Sequence, residues 1–225
     1  TAMPRRISAC LVEQFLYMFI DWSIFCWLPL KLAHESKNSL LSATFGQFML
    51  FKREAYDAIG GHSKIREHPC DDFTLGRAIK KEGLSWMLAD GTSYVTVLPY
   101  KGNWDAFTGV SRSIYPALGF RLGTITILTL LLVFLGFYPM ALFIDGIQNT
   151  TQSLTRFGVF VLPLSSLVTT WIIVFIKFKH QNFIALFYPA AIALIIATGC
   201  HSVVTYSYRV TSWKQRNIYR PKTRI

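Results

Sequence analysis

Acidic residues are scarce in this sequence, and the motifs that usually hold a nucleotide are absent. The 225 residues include 12 Asp and Glu against 23 Lys and Arg, which gives a net charge of +11. No Asp-x-Asp pair occurs, and neither a Walker-type loop nor a Gly-x-Gly-x-x-Gly loop is present. These absences exclude a recognisable phosphate-binding loop and a recognisable acidic motif for a metal-bound diphosphate.

Cysteine is rare as well. The 4 cysteines are widely spaced and form no Cys-x-x-Cys pair, so neither a zinc site nor a disulfide framework is predicted. The sequence begins at Thr1, and no secretory signal of the basic, apolar and small-residue type follows. We therefore interpret the chain either as a fragment of a longer protein or as a product that starts at Met3.

Three long runs lack Asp, Glu, Lys and Arg altogether: Leu122 to Ile144, Phe157 to Ile176 and Phe183 to Val204. At about 1.5 Å per residue, each run is long enough to cross a hydrocarbon core of about 30 Å. A composition of 52% hydrophobic and 16% charged residues is too apolar for a soluble domain. The sequence therefore predicts a multi-pass membrane protein with transmembrane helices in residues 121–206.

The excess of basic residues favours a membrane surface as the partner. Many of the bases flank apolar runs and are not interleaved with aromatic residues, which argues against nucleic acid. The tail, residues 207–225, holds six Lys or Arg and no acid, which favours the cytoplasm. Three crossings from a cytoplasmic start place this tail outside, so either one run is re-entrant or an earlier segment also crosses.

The apolar stretch from Ile7 to Leu32 differs from the three runs because it contains Glu13 and Asp21. Acidic side chains are costly within hydrocarbon. We therefore interpret this stretch as a helix that lies in the membrane interface, with bases at its ends, including Arg6, near lipid headgroups. A membrane-spanning segment is the alternative.

Clustered carboxylates, histidines and bases occur between Gly46 and Gly83. Asp71 and Asp72 precede apolar residues with helical spacing, two lysines and then Gly83, a pattern that predicts a short helix. The simpler interpretation is that one aspartate is the N-cap of this helix. The second carboxylate is not needed for capping, and an ionised carboxylate at the edge of a cleft has the properties of a general base.

The segment before this helix predicts two further elements. Phe45 to Phe51 is short and apolar, which is consistent with a buried strand, and it leads into a predicted helix from Arg53 to Ile59. Gly60 and Gly61 follow as a pair of breakers, where the backbone needs a positive φ or approaches a ligand closely.

After the acidic helix, Leu84 to Leu88 and Thr92 to Leu98 predict two strands around a hairpin turn at Asp90-Gly91. The stretch from Gly102 to Pro116 has apolar residues near helical spacing. Ordinary core packing explains this pattern, and so does a helix on the membrane surface, which is the interpretation we favour.

Three parts of the sequence resemble the acceptor half of family 2 inverting glycosyltransferases. They are the segment Gly46 to Tyr56, the Ile-Gly-Gly-His sequence at Ile59 to His62, and the acidic pair. The resemblance is closest to membrane-bound bacterial enzymes of the hopanoid-associated and carotenoid-glycosylating kind, and ceramide glucosyltransferase is more distant. It covers roughly Arg5 to Tyr115 and resumes at Trp213 to Arg216. It implies an α/β remnant of a GT-A domain in residues 1–120, with interfacial helices, followed by an all-α transmembrane domain of about three helices.

The resemblance implies a role for several side chains. Asp72 corresponds to the catalytic base. The residues that orient the acceptor or line its pocket are Asp71, Gly46, Gln47, His62 and Arg112, although Ser111-Arg112-Ser113 replaces the usual Ser-Lys-Asn. Lys214 and Arg216 correspond to the basic motif near the diphosphate, and anchoring to lipid headgroups explains their charge equally well.

The implied reaction transfers a sugar from a nucleotide-sugar donor to a lipid hydroxyl, at the cytoplasmic face of a bacterial inner membrane. A divalent metal, Mg²⁺ or Mn²⁺, is expected in the complete enzyme, with its ligands outside this chain. We therefore expect residues 1–225 alone neither to bind the donor nor to transfer sugar. The alternative is a non-catalytic membrane scaffold or a small transporter-like protein, in which Asp71 and Asp72 only cap a helix.

Overall fold

The structure is a computed structural model that describes residues 1–66, 68–98, 100–149, 154–180, 185–208, 212–213 and 216–217. For residues 149, 154–157, 212–213 and 216–217 it describes the backbone alone. The described chain is mostly helical. Its elements in chain order are β1 (Ala2–Arg6), α1 (Leu11–Trp27), α2 (Leu30–Glu35), α3 (Arg53–Ala58), α4 (Asp71–Lys81), β2 (Ala89–Val97), α5 (Asn103–Ala117), α6 (Leu122–Asn149), α7 (Leu154–Lys177), α8 (Tyr188–Ser207), β3 (Ser212–Trp213) and β4 (Arg216–Asn217).

β1 and β2 form a parallel pair, from Ala2 opposite Ala89 to Arg6 opposite Val97. The predicted strand from Thr92 to Leu98 is confirmed, whereas Leu84 to Leu88 is irregular. The hairpin turn predicted at Asp90-Gly91 is wrong, because both residues lie within β2 and pair with β1. A strand almost ninety positions away in sequence supplies the partner, and turn signals report only on near neighbours.

The strand predicted from Phe45 to Phe51 is also wrong, because this segment is irregular. The Thr1 hydroxyl accepts a hydrogen bond from the Phe45 N–H at 3.0 Å and donates one to the Phe48 carbonyl at 2.8 Å. These side-chain bonds satisfy backbone groups that a strand ladder would otherwise pair. The predicted helix that follows is confirmed as α3, and Gly60 and Gly61 have the expected positive φ of 78° and 52°.

α1 carries two acids, and both are buried within the protein. Arg6, which is 6% exposed, places Nη1 at 2.7 Å from each carboxylate oxygen of Asp21. His180 Nε2 lies 3.3 Å from Asp21 Oδ2, and Glu13 accepts the N–H of Ala9 at 3.0 Å. The expectation that Arg6 lies near lipid headgroups is therefore wrong. The pairing of Asp21 with a buried guanidinium compensates the cost of burying its charge.

The interfacial stretch was expected to be one helix, and the structure divides it into two. α1 ends at Trp27 and α2 begins at Leu30, with Pro29 as the residue before α2. Proline cannot donate the backbone hydrogen bond that would continue α1. On its inner side α1 packs against α5, α7 and α8, and the Trp22 ring stacks on Trp171 of α7 with centroids 4.7 Å apart.

The three helices predicted from the uncharged runs are confirmed as α6, α7 and α8. The segments Leu122–Gln148, Gly158–Lys177 and Ala185–Ser207 are long and apolar enough to cross a membrane. The faces of the first two that point away from the protein are rich in exposed large apolar side chains, as expected for a surface against lipid.

α7 and α8 both end beside the part of the chain that holds the sheet and α4. Lys177, the last residue of α7, lies 3.9 Å from Asp90 of β2. Tyr206, in the last turn of α8, donates its hydroxyl proton to the Arg112 carbonyl of α5 at 2.9 Å. α8 begins beside α7, because the rings of Tyr188 and Trp171 have centroids 5.8 Å apart. The chain thus runs away from the sheet and α4 along α6 and returns along α7. The end of α8 lies on the same side as the end of α7.

Candidate active site

The two aspartates open α4, although neither is its N-cap. Cys70 occupies the N-cap position, and Asp71 and Asp72 form the first turn. The capping role predicted for an aspartate is therefore wrong. The Asp71 carboxylate instead accepts the N–H of Asp72 at 2.9 Å, which leaves Asp71 exposed at the positive end of the helix dipole. At the other end Gly83 has a φ of 71°, as its place after the helix predicted.

The carboxylate of Asp72 is held from both sides. Its Oδ1 accepts the Phe73 N–H at 2.7 Å and the Cys70 thiol proton at 3.3 Å. Its Oδ2 accepts the N–H of Gly46 at 3.1 Å. A Cβ atom at position 46 would lie 3.2 Å from this same oxygen, so glycine allows the close approach. The structure therefore brings Gly46 and Asp72 together.

The surroundings of Asp72 change its acidity. Burial raises the pKa of its carboxyl above the ordinary value, and the negative charge of Asp71 adds to this effect. Hydrogen bonds from Phe73, Cys70 and Gly46 oppose the rise. Burial also raises the pKa of the Cys70 thiol, so this group remains protonated and acts as a donor. A carboxylate with a raised pKa is a better proton acceptor than an ordinary aspartate.

Three residues that sequence reasoning missed shape the loop before α4. The Cys70 N–H donates to His68 Nδ1 at 3.2 Å, and Thr74 Oγ1 donates to the Cys70 carbonyl at 2.7 Å. Burial lowers the pKa of His68, which favours the neutral ring that can accept this bond. The spacing of Thr74, four residues after Cys70, is a usual side-chain-to-backbone pattern. No local signal marks His68.

His62 and Gln47, both predicted to line the pocket, lie at the surface. His62 Nδ1 is 2.6 Å from the Tyr56 hydroxyl, and the His62 N–H donates to the same oxygen at 2.9 Å. Gln47 follows Gly46 in the loop beside Asp72, with an exposed side chain. Among the hydrogen bonds of the described residues, none joins either side chain to Asp72.

The remaining predicted site residues lie on the later elements. Arg112 is half-buried on α5, and its carbonyl accepts the Tyr206 hydroxyl. Its neighbour Ser111 lies 2.8 Å from His201 Nδ1 of α8, so His201 bonds between helices. Lys214 falls outside the described residues. Arg216 lies in the short strand β4, and its side chain is not among those described.

A largely apolar cavity of about 440 Å³ adjoins the start of α4. Its walls come from α1, α4, α5, α6 and α8. α4 contributes Phe73 and Arg77, and Phe73 directly follows Asp72 in the sequence. Other walls include Phe19, Trp27, Val110, Leu132 and Ile195. The cavity therefore lies between the helices that are apolar enough for a membrane and the helix that begins with the acidic pair.

The divalent metal that the resemblance implies finds no matching site in the described part of the chain. No group of three or more His, Cys, Asp or Glu side chains there is placed to hold a metal ion. Asp71 and Asp72 form only a pair, and the Asp72 oxygens already accept hydrogen bonds from protein groups.

Comparisons with known proteins identify no relative of this chain, so the function of the site is inferred from its geometry. A scan against protein-family models and searches among curated proteins and solved structures give no match to this chain.

Proposed function

We propose that this protein is the acceptor half and membrane anchor of an inverting glycosyltransferase, which transfers a sugar from a nucleotide-sugar donor to a lipid hydroxyl. Asp72 is the general base. The observation that carries the proposal is the setting of this carboxylate: three donors hold it, its pKa is raised, and the next residue of the same helix, Phe73, lines an apolar cavity between membrane-type helices.

In this reaction Asp72 removes the proton from the lipid hydroxyl as the oxygen attacks the anomeric carbon of the sugar. A base in this role must be ionised and must keep its orientation while the proton moves. The bonds from Phe73 and Gly46 supply the orientation, and burial raises the pKa toward the range where proton transfer is efficient. Asp71, exposed beside it, is free to contact the acceptor.

The cavity supports a lipid as the acceptor. Residues of α6 and α8 line it, and these helices contain two of the three segments that are apolar enough to cross a membrane. On this proposal an apolar chain lies in the cavity and its polar end lies at the start of α4, where Phe73 lines the cavity. The exposed apolar surfaces of α6 and α7 hold the assembly in the bilayer.

The donor side of the reaction is an expectation from the resemblance. A leaving diphosphate needs positive charge, which a divalent metal supplies in such enzymes when it is bound. The described residues offer no group of metal ligands. We therefore assign the donor and its metal to a part of the enzyme other than the described residues, and leave to Asp72 and the cavity the binding and activation of the acceptor.

Asp72→Asn tests the proposal, with Asp71→Asn as a matched neighbour. Loss of a general base lowers the rate by about 10²- to 10⁴-fold. We expect a loss of this size for Asp72→Asn and less than about tenfold for Asp71→Asn, because an amide at position 71 still accepts the Asp72 N–H. Transfer is measured with radiolabelled nucleotide sugar in membranes that contain the complete enzyme, including its donor-binding part. Equal activities of the two variants would remove Asp72 from the role of base.

A non-catalytic scaffold is the second candidate, and one observation favours it. The hydrogen bonds of Asp72 join the loop at Gly46 to the first turn of α4, which is a sufficient structural reason for an aspartate at this position. On this alternative, Asp72→Asn lowers the stability of the purified protein, and membranes with the unmodified protein transfer no sugar to lipid. Thermal unfolding and the transfer assay together separate the two candidates.

A further inference from the structure

Arg77 is a half-buried cation in the wall of an apolar cavity. It lies one helical turn after Phe73 on α4, and both side chains line the cavity. Its Nε is buried without a hydrogen-bond partner, and Arg77 forms no ion pair with another described residue. Arg77 makes a cation–π contact with the Phe73 ring, whose centroid is 5.7 Å from Cζ, close to the distance limit for a cation–π interaction.

A guanidinium in this position has lost part of its hydration, and an anion can compensate that loss. Transfer of a charge from water to apolar surroundings carries a large penalty when no partner is present. Burial lowers the pKa of Arg77, but an arginine keeps its proton in proteins, so the charge persists. The fork of N–H donors on a guanidinium matches a carboxylate or a phosphate group.

The rest of the wall is uncharged. Besides Arg77, its polar side chains are hydroxyl groups, from Ser23, Ser42, Ser113 and Thr129. No carboxylate belongs to the lining residues, so the wall itself has no counter-ion for Arg77. A volume of about 440 Å³ falls within the range of roughly 300–1,000 Å³ that is usual for small-ligand sites.

We propose that the cavity binds an anionic lipid, with an apolar chain between α1, α5, α6 and α8 and a carboxylate or phosphate group paired with Arg77. Binding of this lipid does not depend on sugar transfer. Only the further step, that the acceptor itself carries the anionic group, rests on the proposed function. The site takes an amphiphile with one negative group and rejects the corresponding neutral one, because a hydroxyl cannot neutralise the guanidinium.

The test uses Trp27, which lines the cavity, as a fluorescent reporter. The purified full chain is placed in phosphatidylcholine nanodiscs and titrated, without any sugar donor, with dibrominated stearic acid, dibrominated stearyl alcohol or a brominated lysophosphatidic acid. Bromine quenches tryptophan on contact. We expect saturable quenching by the acid or the lysophosphatidate at a mole fraction at least about tenfold lower than for the alcohol, a difference of about 1.4 kcal/mol.

Variants then assign the signal to the site. Arg77→Gln should remove the preference for the anionic probes, whereas Arg53→Gln, which changes an exposed arginine, should keep it. Trp27→Phe and the cavity-filling Thr129→Phe should each remove the saturable quenching. Binding by only one of the two anionic probes supports the proposal and identifies whether a carboxylate or a phosphate group pairs with Arg77. Equal quenching by acid and alcohol in the unmodified protein overturns it, as does a preference that persists in Arg77→Gln.

Because no donor is present, these outcomes are independent of the reaction. If the chain binds the anionic probe but membranes with the complete enzyme, including its donor-binding part, transfer no sugar, the lipid site is retained and the proposed function is refuted. If the complete enzyme transfers sugar but the chain does not distinguish the acid from the alcohol, the proposed function is retained and the anionic-lipid site is refuted.

Discussion

The backbone N–H of Gly46 donates to Oδ2 of Asp72 at 3.1 Å, across a sequence separation of 26 residues. A side chain at position 46 would place its Cβ 3.2 Å from this oxygen and 3.4 Å from the Asp72 Cβ. The distance to the oxygen is shorter than an ordinary van der Waals contact. A larger residue at position 46 would therefore require the Asp72 carboxylate to move by a few tenths of an ångström.

Gly46→Ala should lower sugar transfer more than it lowers stability. The added methyl displaces the Asp72 carboxylate by a few tenths of an ångström, and a misplacement near 1 Å costs about 10²-fold in rate. We expect a loss of about tenfold in the transfer assay. Gly123→Ala is the matched control, because a Cβ at position 123 meets nothing within 4 Å. Unchanged turnover in Gly46→Ala would show that the carboxylate position is not critical.

The acid limb of the pH profile should move in opposite directions in two variants. Transfer requires ionised Asp72, so the rate rises as the pH rises through the pKa of this group, above the ordinary value of about 4. Asp71→Asn removes a charge that raises this pKa, so its limb should move to lower pH. Cys70→Ala removes a hydrogen bond that lowers it, so its limb should move to higher pH.

The measurement is the rate of transfer from a saturating donor across the acid range, for the unmodified protein and both variants. Asp57→Asn, in an exposed ion pair with Arg53, serves as the control and should leave the limb in place. A limb that stays fixed in both Asp71→Asn and Cys70→Ala would mean that another group titrates.

Asp21→Asn should destabilise the protein by about 3–5 kcal/mol near neutral pH, because it leaves the buried Arg6 without its counter-ion. Burial opposes ionisation, but Arg6 and His180 together hold the pKa of Asp21 below its usual range. Such a group stabilises the fold above the pKa of the unfolded chain, about 4, and this stabilisation is lost as the pH falls through the folded-state pKa. The difference between protein and variant should therefore shrink in acid.

Unfolding of the detergent-solubilised protein in denaturant, followed at several pH values, checks this expectation. Asp57→Asn is again a suitable control, because its ion pair with Arg53 is exposed and should contribute about 0–1 kcal/mol. A cost for Asp21→Asn no larger than for Asp57→Asn would contradict the importance assigned to the buried pair.

A cysteine at Lys222 should be protected from a membrane-impermeant thiol reagent in intact cells. The last turn of α8 contacts Arg112 of α5, so we expect the tail to emerge on the same side as α5, and its bases favour the cytoplasm. A cysteine at Gln152, between α6 and α7, should be labelled. Both are introduced after the four native cysteines have been replaced. Equal labelling at the two positions would place the tail outside.

The expected topology also explains a conflict in the charge pattern. Counting α6, α7 and α8 as three full crossings puts the basic tail outside, against the usual distribution of Lys and Arg. Contacts of Lys177 with Asp90 and of Tyr206 with Arg112 place the ends of α7 and α8 on one side. Of the two explanations that the sequence left open, these contacts favour a re-entrant α8.

The sequence by itself determined the features that depend on neighbouring residues. α4, with its acidic first turn and Gly83 after its end, was predicted because dipole, propensity and cap signals lie within a dozen residues. The three long helices followed from uncharged runs, which need no partner to be recognised. Positive φ at Gly60 and Gly61 was likewise a local preference.

Only the tertiary structure decided which distant groups meet. β1 pairs in parallel with β2, Arg6 forms an ion pair with Asp21, and the Gly46 N–H donates to Asp72. The partners are far apart in the sequence, so no periodic pattern in a single sequence predicts these contacts. The burial of Asp21 beside Arg6 removed the reason for placing this acid at the membrane surface, because a carboxylate paired inside a protein need not face water. The charge of Arg77 was visible in the sequence, but the apolar cavity that makes it significant arises from five helices packed together.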